Sequence, residues 1–440
     1  MDRPVFIGSE IYRGSSYGPK HPLSIPRVPT ATELARSMGW LPKEQFRLSP
    51  RARPKALLSF HTADYVEALE RAEATQHVDE ATRKRHQLGT VSNPIFTEMF
   101  RRPATAAGGS MLAAQLLAEG GVVYNPGGGT HHGMPDHAAG FCYLNDPVLG
   151  IQALLAQGLS RVVYVDIDAH HCDGVEVAFA GDERVRMIST HEAARWPFTG
   201  AVENTAQGSA FNLPLPQAIG DDGFALARDQ VILPAVEAFR PEAIVLQCGA
   251  DAVEEDPLSR LALSNRSHWS VVTALMGMAP RLLVLGGGGY NPWTVGRLWA
   301  GVWATLNGHE IPDALPPEAE QVLRDLSWTR QARGPTPEHL MKTLKDTPRP
   351  GAITDELRRD VQRLADRLWP GSRRNQRHEQ PVRLRRSVPP LPSCAKRLKA
   401  LKDNGTETTN AHSGDEIRRH VGGQYRQDPP RGQEIGRAHV

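Results

Sequence analysis

The 440-residue sequence predicts an α/β fold built on a mostly parallel sheet with helices on both faces. Five short, apolar, β-branched runs predict strands at 121–124, 161–166, 185–188, 243–246 and 281–285. Helical stretches at 148–157, 223–239 and 267–279 lie between them. Strands that alternate with helices favour parallel pairing, and their carboxyl ends then meet at one edge of the sheet, where α/β folds bind ligands.

The flanking regions are mainly helical, apart from the end of the chain. Residues 1–120 contain a loop rich in Pro and Gly at 14–29 and helical segments near Ala31 and Pro103. Residues 292–369 are predicted to be helical, and 352–369 is the most amphipathic stretch. After Pro370 the sequence is polar and has no apolar period, which predicts disorder. We therefore predict a folded domain at 1–369 and a disordered tail at 370–440.

The formal net charge of +2 is unevenly distributed along the chain. Residues 370–440 contain 15 Lys/Arg and 7 Asp/Glu, a net charge of +8, which leaves −6 for residues 1–369. A nucleic-acid-binding protein normally carries basic charge in its folded part, so we expect no specific nucleic-acid binding. One back-translation of residues 434–440 is a common sequencing-adapter sequence, which favours an assembly artefact over a real, unstructured end. The basic charge of the tail therefore indicates little about function.

The composition also excludes several classes of protein. No stretch of about 18 apolar residues is present, so we expect no membrane span. The N-terminus lacks the apolar segment of a secretory signal. The four cysteines, at 142, 172, 248 and 394, form no CxxC pair, which excludes a disulfide scaffold and a cysteine-rich zinc module. This use of cysteine fits a reducing compartment, and we expect a cytoplasmic protein.

The most informative motif is YVDIDAHHCDG at 164–174, which closes a predicted strand. Because strand side chains alternate, Asp166, Asp168 and His170 are expected on one side. Two carboxylates and an imidazole are costly to bury there unless a cation compensates them, and a divalent metal would do so. A solvated polar loop is the alternative, and the apolar run at 162–165 argues against it.

A further carboxylate follows a second apolar strand, in AIVLQCGAD at 243–251. Alone, Asp251 would be an ordinary loop residue. Parallel strands, however, bring it to the same edge as the first motif. Asp168, His170 and Asp251 then make a three-ligand site with an open position, which is the layout of a catalytic zinc.

Two glycine-rich motifs also follow strands. NPGGGTHHG at 125–133 presents His131 and His132, which are candidates for general base and acid, with Asp166 and Asp173 as orienting partners. GGGGYN at 286–291 places Tyr290 at the rim, where a phenol suits an oxyanion donor. The second motif lacks the spacing of a phosphate-binding loop.

In this order, the four motifs resemble the histone deacetylase family and its bacterial relatives, the acetoin-utilisation deacetylases and acetylpolyamine amidohydrolases. The resemblance runs from about Tyr12 to Gly308, and GFCYLND at 140–146 is similar to the family's channel wall. It implies one three-layer α/β/α catalytic domain of arginase-like fold, with about eight strands in a mostly parallel sheet.

The resemblance also implies roles for individual residues. One Zn²⁺ would be bound by Asp168, His170 and Asp251. The catalytic residues would be His131, His132, Asp166, Asp173 and Tyr290. A structural K⁺ would lie near Asp166, Asp168, His170 and Ser189. The substrate would contact Gly140, Phe141, Trp196 and Gly288.

Two departures from the family pattern bear on the site. Cys172 stands where the family usually has glycine, and we expect it to crowd Asp173. Ser92 replaces a rim aspartate that often holds a peptide substrate, which argues against peptide-style recognition but leaves the chemistry intact.

We therefore expect a zinc-dependent deacetylase that hydrolyses N-acetyl-lysine, or a similar acylated primary amine, by metal-activated water. His132 is expected to act as base and acid, with His131 as electrostatic support. One alternative is an acetylpolyamine or small-amide amidohydrolase. Such enzymes favour an acidic entrance to the site, and the segments 19–29 and 91–94 of this sequence contain no acidic cluster. An arginase-like ureohydrolase would need two manganese ions and more carboxylates. A catalytically silent acyl-lysine-binding protein would be expected to have lost Tyr290 or a ligand.

The composition of the tail generates a first prediction. Truncation after Trp369 should leave turnover of a small acetyl-lysine substrate within about twofold, because a disordered segment contributes no packing to the site. Steady-state kinetics and thermal melting of the truncated and full chains check this. A large drop in melting temperature would contradict it.

Overall fold

The computed structural model describes residues 3–328 and 335–368, which contain one eight-stranded parallel sheet. Its strands are β1 (Val5–Gly8), β2 (Phe46–Leu48), β3 (Gly121–Asn125), β4 (Val162–Asp166), β5 (Val185–Glu192), β6 (Ala210–Leu215), β7 (Ala243–Gln247) and β8 (Arg281–Leu285). Their order across the sheet is β2-β1-β3-β8-β7-β4-β5-β6, and every neighbouring pair is parallel. The predicted α/β class and strand number are confirmed.

Helices surround this sheet. They are α1 (Ile11–Gly14), α2 (Arg27–Ser37), α3 (Pro54–Leu57), α4 (Ala63–Thr75), α5 (Glu80–His86), α6 (Arg101–Leu116), α7 (Asp146–Ala156), α8 (Asp173–Phe179), α9 (Asp221–Ala227), α10 (Leu233–Phe239), α11 (Asn265–Leu275), α12 (Pro292–Asn307), α13 (Pro317–Arg324), α14 (His339–Lys342) and α15 (Asp355–Leu368). Within the described ranges, none of the helices combines the length and hydropathy needed to cross a membrane.

Both faces of the sheet are covered, because alternate strand residues enter different apolar clusters. Val163 and Val165 of β4 belong to a cluster that includes residues of α2, α11 and α12. Val162 and Tyr164 belong to a second cluster, formed with residues of α6, α7 and α8. The period of two along a buried strand thus produces the three-layer arrangement.

The five predicted strands are present, and three further strands were not predicted. β1 and β2 have four and three residues, too short for a recognisable pattern, and β6 contains Pro214 on the sheet edge. The predicted helix at 223–239 is divided into α9 and α10 by a π-helical turn at Arg228–Ile232, which ends two residues before Pro234. α2 begins within the predicted loop at 14–29. The predicted tail at 370–440 lies outside the described residues.

The topology explains why the polar motifs meet. β3, β8, β7 and β4 are neighbours in the sheet and end at Asn125, Leu285, Gln247 and Asp166. One of the four motifs follows each of these ends. The loops therefore leave the same edge of the sheet side by side.

A buried ion pair connects the segment after α14 to α12. Arg297 Nη2 of α12 lies 2.7 Å from Asp346 Oδ1, and both side chains are buried. Asp346 Oδ2 also accepts a hydrogen bond of 2.9 Å from Asn265 N, at the start of α11. Asp346 thus joins α12 to α11, the helix that follows the Asp251 loop.

This pair generates a stability prediction. Asp346→Ala should lower the free energy of unfolding by about 3–5 kcal/mol, because it leaves the Arg297 guanidinium buried without compensation. Lys345→Ala is the matched control: Lys345 Nζ pairs at 2.6 Å with the exposed Asp313, and its loss should leave stability nearly unchanged. Urea denaturation of both variants measures the difference, and equal losses would contradict the prediction.

Candidate active site

Three predicted metal ligands lie together at the carboxyl edge of β4 and β7. His170 Nδ1 is 3.0 Å from Asp251 Oδ2 and 3.2 Å from Asp168 Oδ1. Ligand atoms of the three residues all lie within 4.8 Å of one another, and all three residues are buried. Among the described residues, this is the one group of at least three His, Cys, Asp or Glu side chains arranged to hold a metal ion.

The electrostatics of this triad favour a cation. Burial raises the pKa of Asp251, and the nearby charge of Asp168 raises it further. Burial would also raise the pKa of Asp168, but the charges of His131 and His170 hold it well below its ordinary value. Beyond burial, the raised pKa of Asp251 thus reflects repulsion between two adjacent buried carboxylates, which a bound cation would relieve. Oxygen and nitrogen donors in this arrangement fit a divalent metal such as zinc.

The predicted His pair lies beside the triad, and each ring is backed by a carboxylate. His131 Nδ1 donates to Asp166 Oδ2 at 2.8 Å, and His132 Nδ1 donates to Asp173 Oδ1 at 2.6 Å. The two ring centroids are 4.0 Å apart. Because a carboxylate oxygen can only accept, each Nδ1 carries the hydrogen, and Nε2 is left for other chemistry.

The two histidines differ in basicity. Burial would lower the pKa of His131, but the charges of Asp166 and Asp168 outweigh it and raise that pKa to about 9. Burial lowers the pKa of His132 to about 4, and the charge of His131 contributes to this shift. Near neutral pH the pair therefore contains one charged and one neutral ring.

The glycine loop after β8 places Tyr290 close to the triad. Gly288 N donates to Asp168 Oδ2 at 2.8 Å, and a Cβ at position 288 would collide with the carboxylate of Asp251. Tyr290 is buried, and its own N–H donates to Asp256 Oδ2 at 2.6 Å. Burial raises the pKa of the Tyr290 phenol well above its ordinary value, so the hydroxyl remains protonated.

Aromatic rings line the approach to these groups. Trp196 lies 4.6 Å from His132 between ring centroids, and Phe141 lies 5.7 Å from Tyr290. Gly140 lies against both Trp196 and His132, because a Cβ added at this position would collide with the Trp196 ring and lie 2.6 Å from His132 Cδ2. The four predicted substrate contacts (Gly140, Phe141, Trp196 and Gly288) are thus all adjacent to the catalytic candidates.

The predicted potassium ligands are also neighbours. Asp166 of β4 pairs directly with Ser189 of β5 in the sheet register. Asp168, the first residue of the Asp–His–Asp triad, lies two residues beyond Asp166, and its N–H donates to Asp166 Oδ1 at 3.1 Å. A potassium ion at this position remains a prediction.

Cys172 does not crowd Asp173, contrary to the expectation from sequence. Its side chain packs in the apolar cluster that contains Tyr164 and Val175. Asp173 keeps its short contact with His132. The thiol also makes a hydrogen bond with Ser189, one of the predicted potassium ligands.

Several residues that position the site were not predicted. Gln247 Nε2 donates to Asp168 Oδ2 at 2.7 Å, and Tyr164 donates its hydroxyl hydrogen to Asp166 Oδ2 at 2.5 Å. Strand alternation offered a signal for Tyr164, which stands two residues before Asp166. Arg27 Nη1 donates to Gly287 O at 2.5 Å, and Asp256 accepts from Tyr290 N. No local sequence signal indicated these two residues, because their partners are distant in sequence.

Comparisons with known proteins agree with this geometry. The family model for the histone deacetylase domain matches residues 21–306. Histone deacetylase 9 of Arabidopsis thaliana is 37% identical over 69% of this chain and 73% of its own length. The acetoin utilization protein AcuC of Bacillus subtilis is 32% identical over 72% of this chain and 86% of its own. The chain spans only 59% of the length of histone deacetylase 1 of Oryza sativa subsp. japonica, to which it is 36% identical.

Two solved structures of HDAC homologs are also similar to this chain. The crystal structure of an HDAC homolog from Aquifex aeolicus is similar with a TM-score of 0.79 and 33% identity, over 83% of this chain and all of that one. An HDAC homolog complexed with SAHA is similar with a TM-score of 0.78, 33% identity and the same coverage.

The triad generates a prediction about metal content. Asp251→Ala should lose stoichiometric zinc, because it leaves one carboxylate and one imidazole to bind the ion. Asp256→Asn is the matched control, since it alters a buried carboxylate five residues away that is not in the triad, and it should retain the metal. Elemental analysis of both purified variants measures this. Full zinc occupancy in Asp251→Ala would contradict the ligand assignment.

Proposed function

The chain belongs to the histone deacetylase family, and on this premise we propose that it is a zinc-dependent deacetylase that hydrolyses N-acetyl-lysine or a similar acylated primary amine. One observation carries the proposal. An Asp–His–Asp triad, two carboxylate-backed histidines and a buried tyrosine meet at one edge of the sheet. Each group has a part in the hydrolysis of an amide.

Asp168, His170 and Asp251 are the residues that would hold Zn²⁺. Three protein ligands leave a position open, as in catalytic rather than structural zinc sites. When bound, Zn²⁺ supplies a Lewis acid that polarises a carbonyl and lowers the pKa of water towards neutrality.

His132 is the proposed base and acid. Its lowered pKa keeps the ring neutral near pH 7, and its Nδ1–H is engaged by Asp173, so Nε2 has a free lone pair. It can therefore take a proton from the attacking water and return it to the departing amine. Negative charge that develops nearby in the transition state favours the proton on His132.

His131 and Tyr290 are proposed to stabilise the negative charge on the substrate oxygen. The raised pKa of His131 keeps this ring positively charged near neutral pH, and Asp166 fixes its orientation. The phenol of Tyr290 remains a donor because its pKa is raised. Preorganised donors of this kind act on the charge that appears only in the transition state.

The aromatic walls support an extended acyl-amine substrate. Trp196 lies beside His132 and Phe141 lies beside Tyr290, and these apolar rings suit an aliphatic chain such as that of lysine. A panel of acetyl-lysine peptides, acetylpolyamines and longer acyl-lysines, assayed with measured zinc content, tests the proposal. Loss of activity on zinc removal and recovery on its return support it; a zinc-loaded protein inactive on every acyl-amine would favour a silent binder.

Tyr290 gives the sharpest kinetic prediction. Tyr290→Phe should lower kcat by about 10²-fold or more, with a much smaller change in KM, because the hydroxyl acts mainly on the transition state. Tyr65→Phe is the matched control. It removes another buried hydroxyl, which donates to Tyr143 O at 2.6 Å, and should leave kcat unchanged. Steady-state kinetics with zinc occupancy checked in each protein measures this, and an unchanged kcat in Tyr290→Phe would remove that residue from the mechanism.

A further inference from the structure

The channel wall at Phe141 has an unfavourable backbone conformation. Ala139 and Cys142 form two mutual hydrogen bonds, of 3.1 and 2.8 Å, that close a tight turn around Gly140 and Phe141. Both central residues have positive φ, +51° at Gly140 and +69° at Phe141. Such turns usually place glycine or asparagine at these positions, because a Cβ is disfavoured there. Phe141 therefore needs neighbours that hold it in place.

Asn93, from the loop after α5, supplies the main support. Its Oδ1 accepts a hydrogen bond of 3.1 Å from Phe141 N. Its Nδ2 donates to Ala138 O at 3.1 Å, so one side-chain amide contacts the turn and the residue before it. Asn93 is itself buried. The amide thus satisfies one N–H of the turn and the carbonyl of the residue that precedes the turn.

Other contacts fix the ring but do not replace this support. Tyr17 donates its hydroxyl hydrogen to Phe141 O at 3.3 Å, and the Phe141 ring packs edge-on against His21 and Tyr290. The Phe141 N–H has Asn93 as its partner. Loss of the Asn93 amide would leave this N–H without its acceptor and free the turn to relax towards negative φ.

We propose that Asn93 is a positioning residue for substrate: it holds Phe141 in its left-handed conformation and so sets the width of the acyl-amine channel. This inference rests on the proposed function. Asn93 is not one of the triad, the His pair or their carboxylates, so its effect should appear in substrate binding more than in the chemical step.

A double-mutant cycle on the full-length, zinc-loaded protein tests the proposal. Asn93→Ala should raise KM for an acetyl-lysine peptide about tenfold, the size expected when a hydrogen-bond acceptor is lost, with kcat within about twofold. In a Phe141→Ala background, the same substitution should change KM by less than about twofold, because the wall that Asn93 holds is gone.

Thr90→Val is the matched control for general loosening of the loop. Thr90 Oγ1 accepts from Asn93 N at 3.1 Å, so its loss weakens the same loop but spares the side-chain amide. A KM change in Thr90→Val equal to that in Asn93→Ala would overturn the proposal. So would additive effects in the cycle, or a fall in kcat without a rise in KM.

A crystal structure of the Asn93→Ala variant gives a result that does not depend on turnover. Movement of Phe141 out of the positive-φ region, or of its ring away from Tyr290, would support the proposal. An unchanged turn would overturn it. An inactive wild-type protein would instead count against the proposed function, and the structural comparison would still decide the role of Asn93.

Discussion

Asp168 and Asp251 place two carboxylates side by side in the interior, and much of the surrounding structure compensates their charge. Asp168 receives hydrogen bonds from His170 N, Gly288 N and Gln247 Nε2, and Asp251 receives one from Ala169 N. Buried carboxylates without such donors would be protonated or would destabilise the fold. These donors come from the loop after β4, from β7 and from the loop after β8, so the parallel sheet is what makes the triad possible. A divalent cation would complete the compensation.

The same excess of negative charge separates the roles of the two histidines. His131 lies between Asp166 and Asp168, with its Nε2 3.9 Å from Asp168 Oδ1, and these charges overcome the effect of burial. His132 is backed by Asp173 alone, and it faces the charge of His131 as well. Two adjacent residues with the same side chain therefore hold different protonation states near neutral pH. Position relative to the carboxylates, rather than residue type, determines this difference.

Most of the fold and the candidate site follow from local sequence signals. The strands that carry the motifs are long enough to show an apolar run, and parallel pairing then brings their ends together. β1, β2 and β6 were missed because they are short or contain proline. Gln247 and Tyr164 lie within the motifs, whereas Arg27, Asn93 and Asp256 reach their partners through tertiary contacts that one sequence does not encode locally. The expectation for Cys172 was wrong because its neighbours in sequence do not reveal the apolar cluster in which it packs.

The chemistry and the channel walls depend on different parts of the molecule. The triad and the His pair stand at strand ends, but each wall is held by a hydrogen-bond acceptor from a loop or a strand end outside the triad. Asn93 holds Phe141, and Glu192 makes a bidentate pair with Arg195, next to Trp196. Asp256 likewise accepts from the backbone N–H of Tyr290, which packs against Phe141. Glu192 also accepts from Arg260 N at 2.8 Å, which links two of the loops around the entrance. Because these acceptors lie outside the Asp–His–Asp triad, substitutions among them can change the shape of the approach while the buried charges of the triad stay in place.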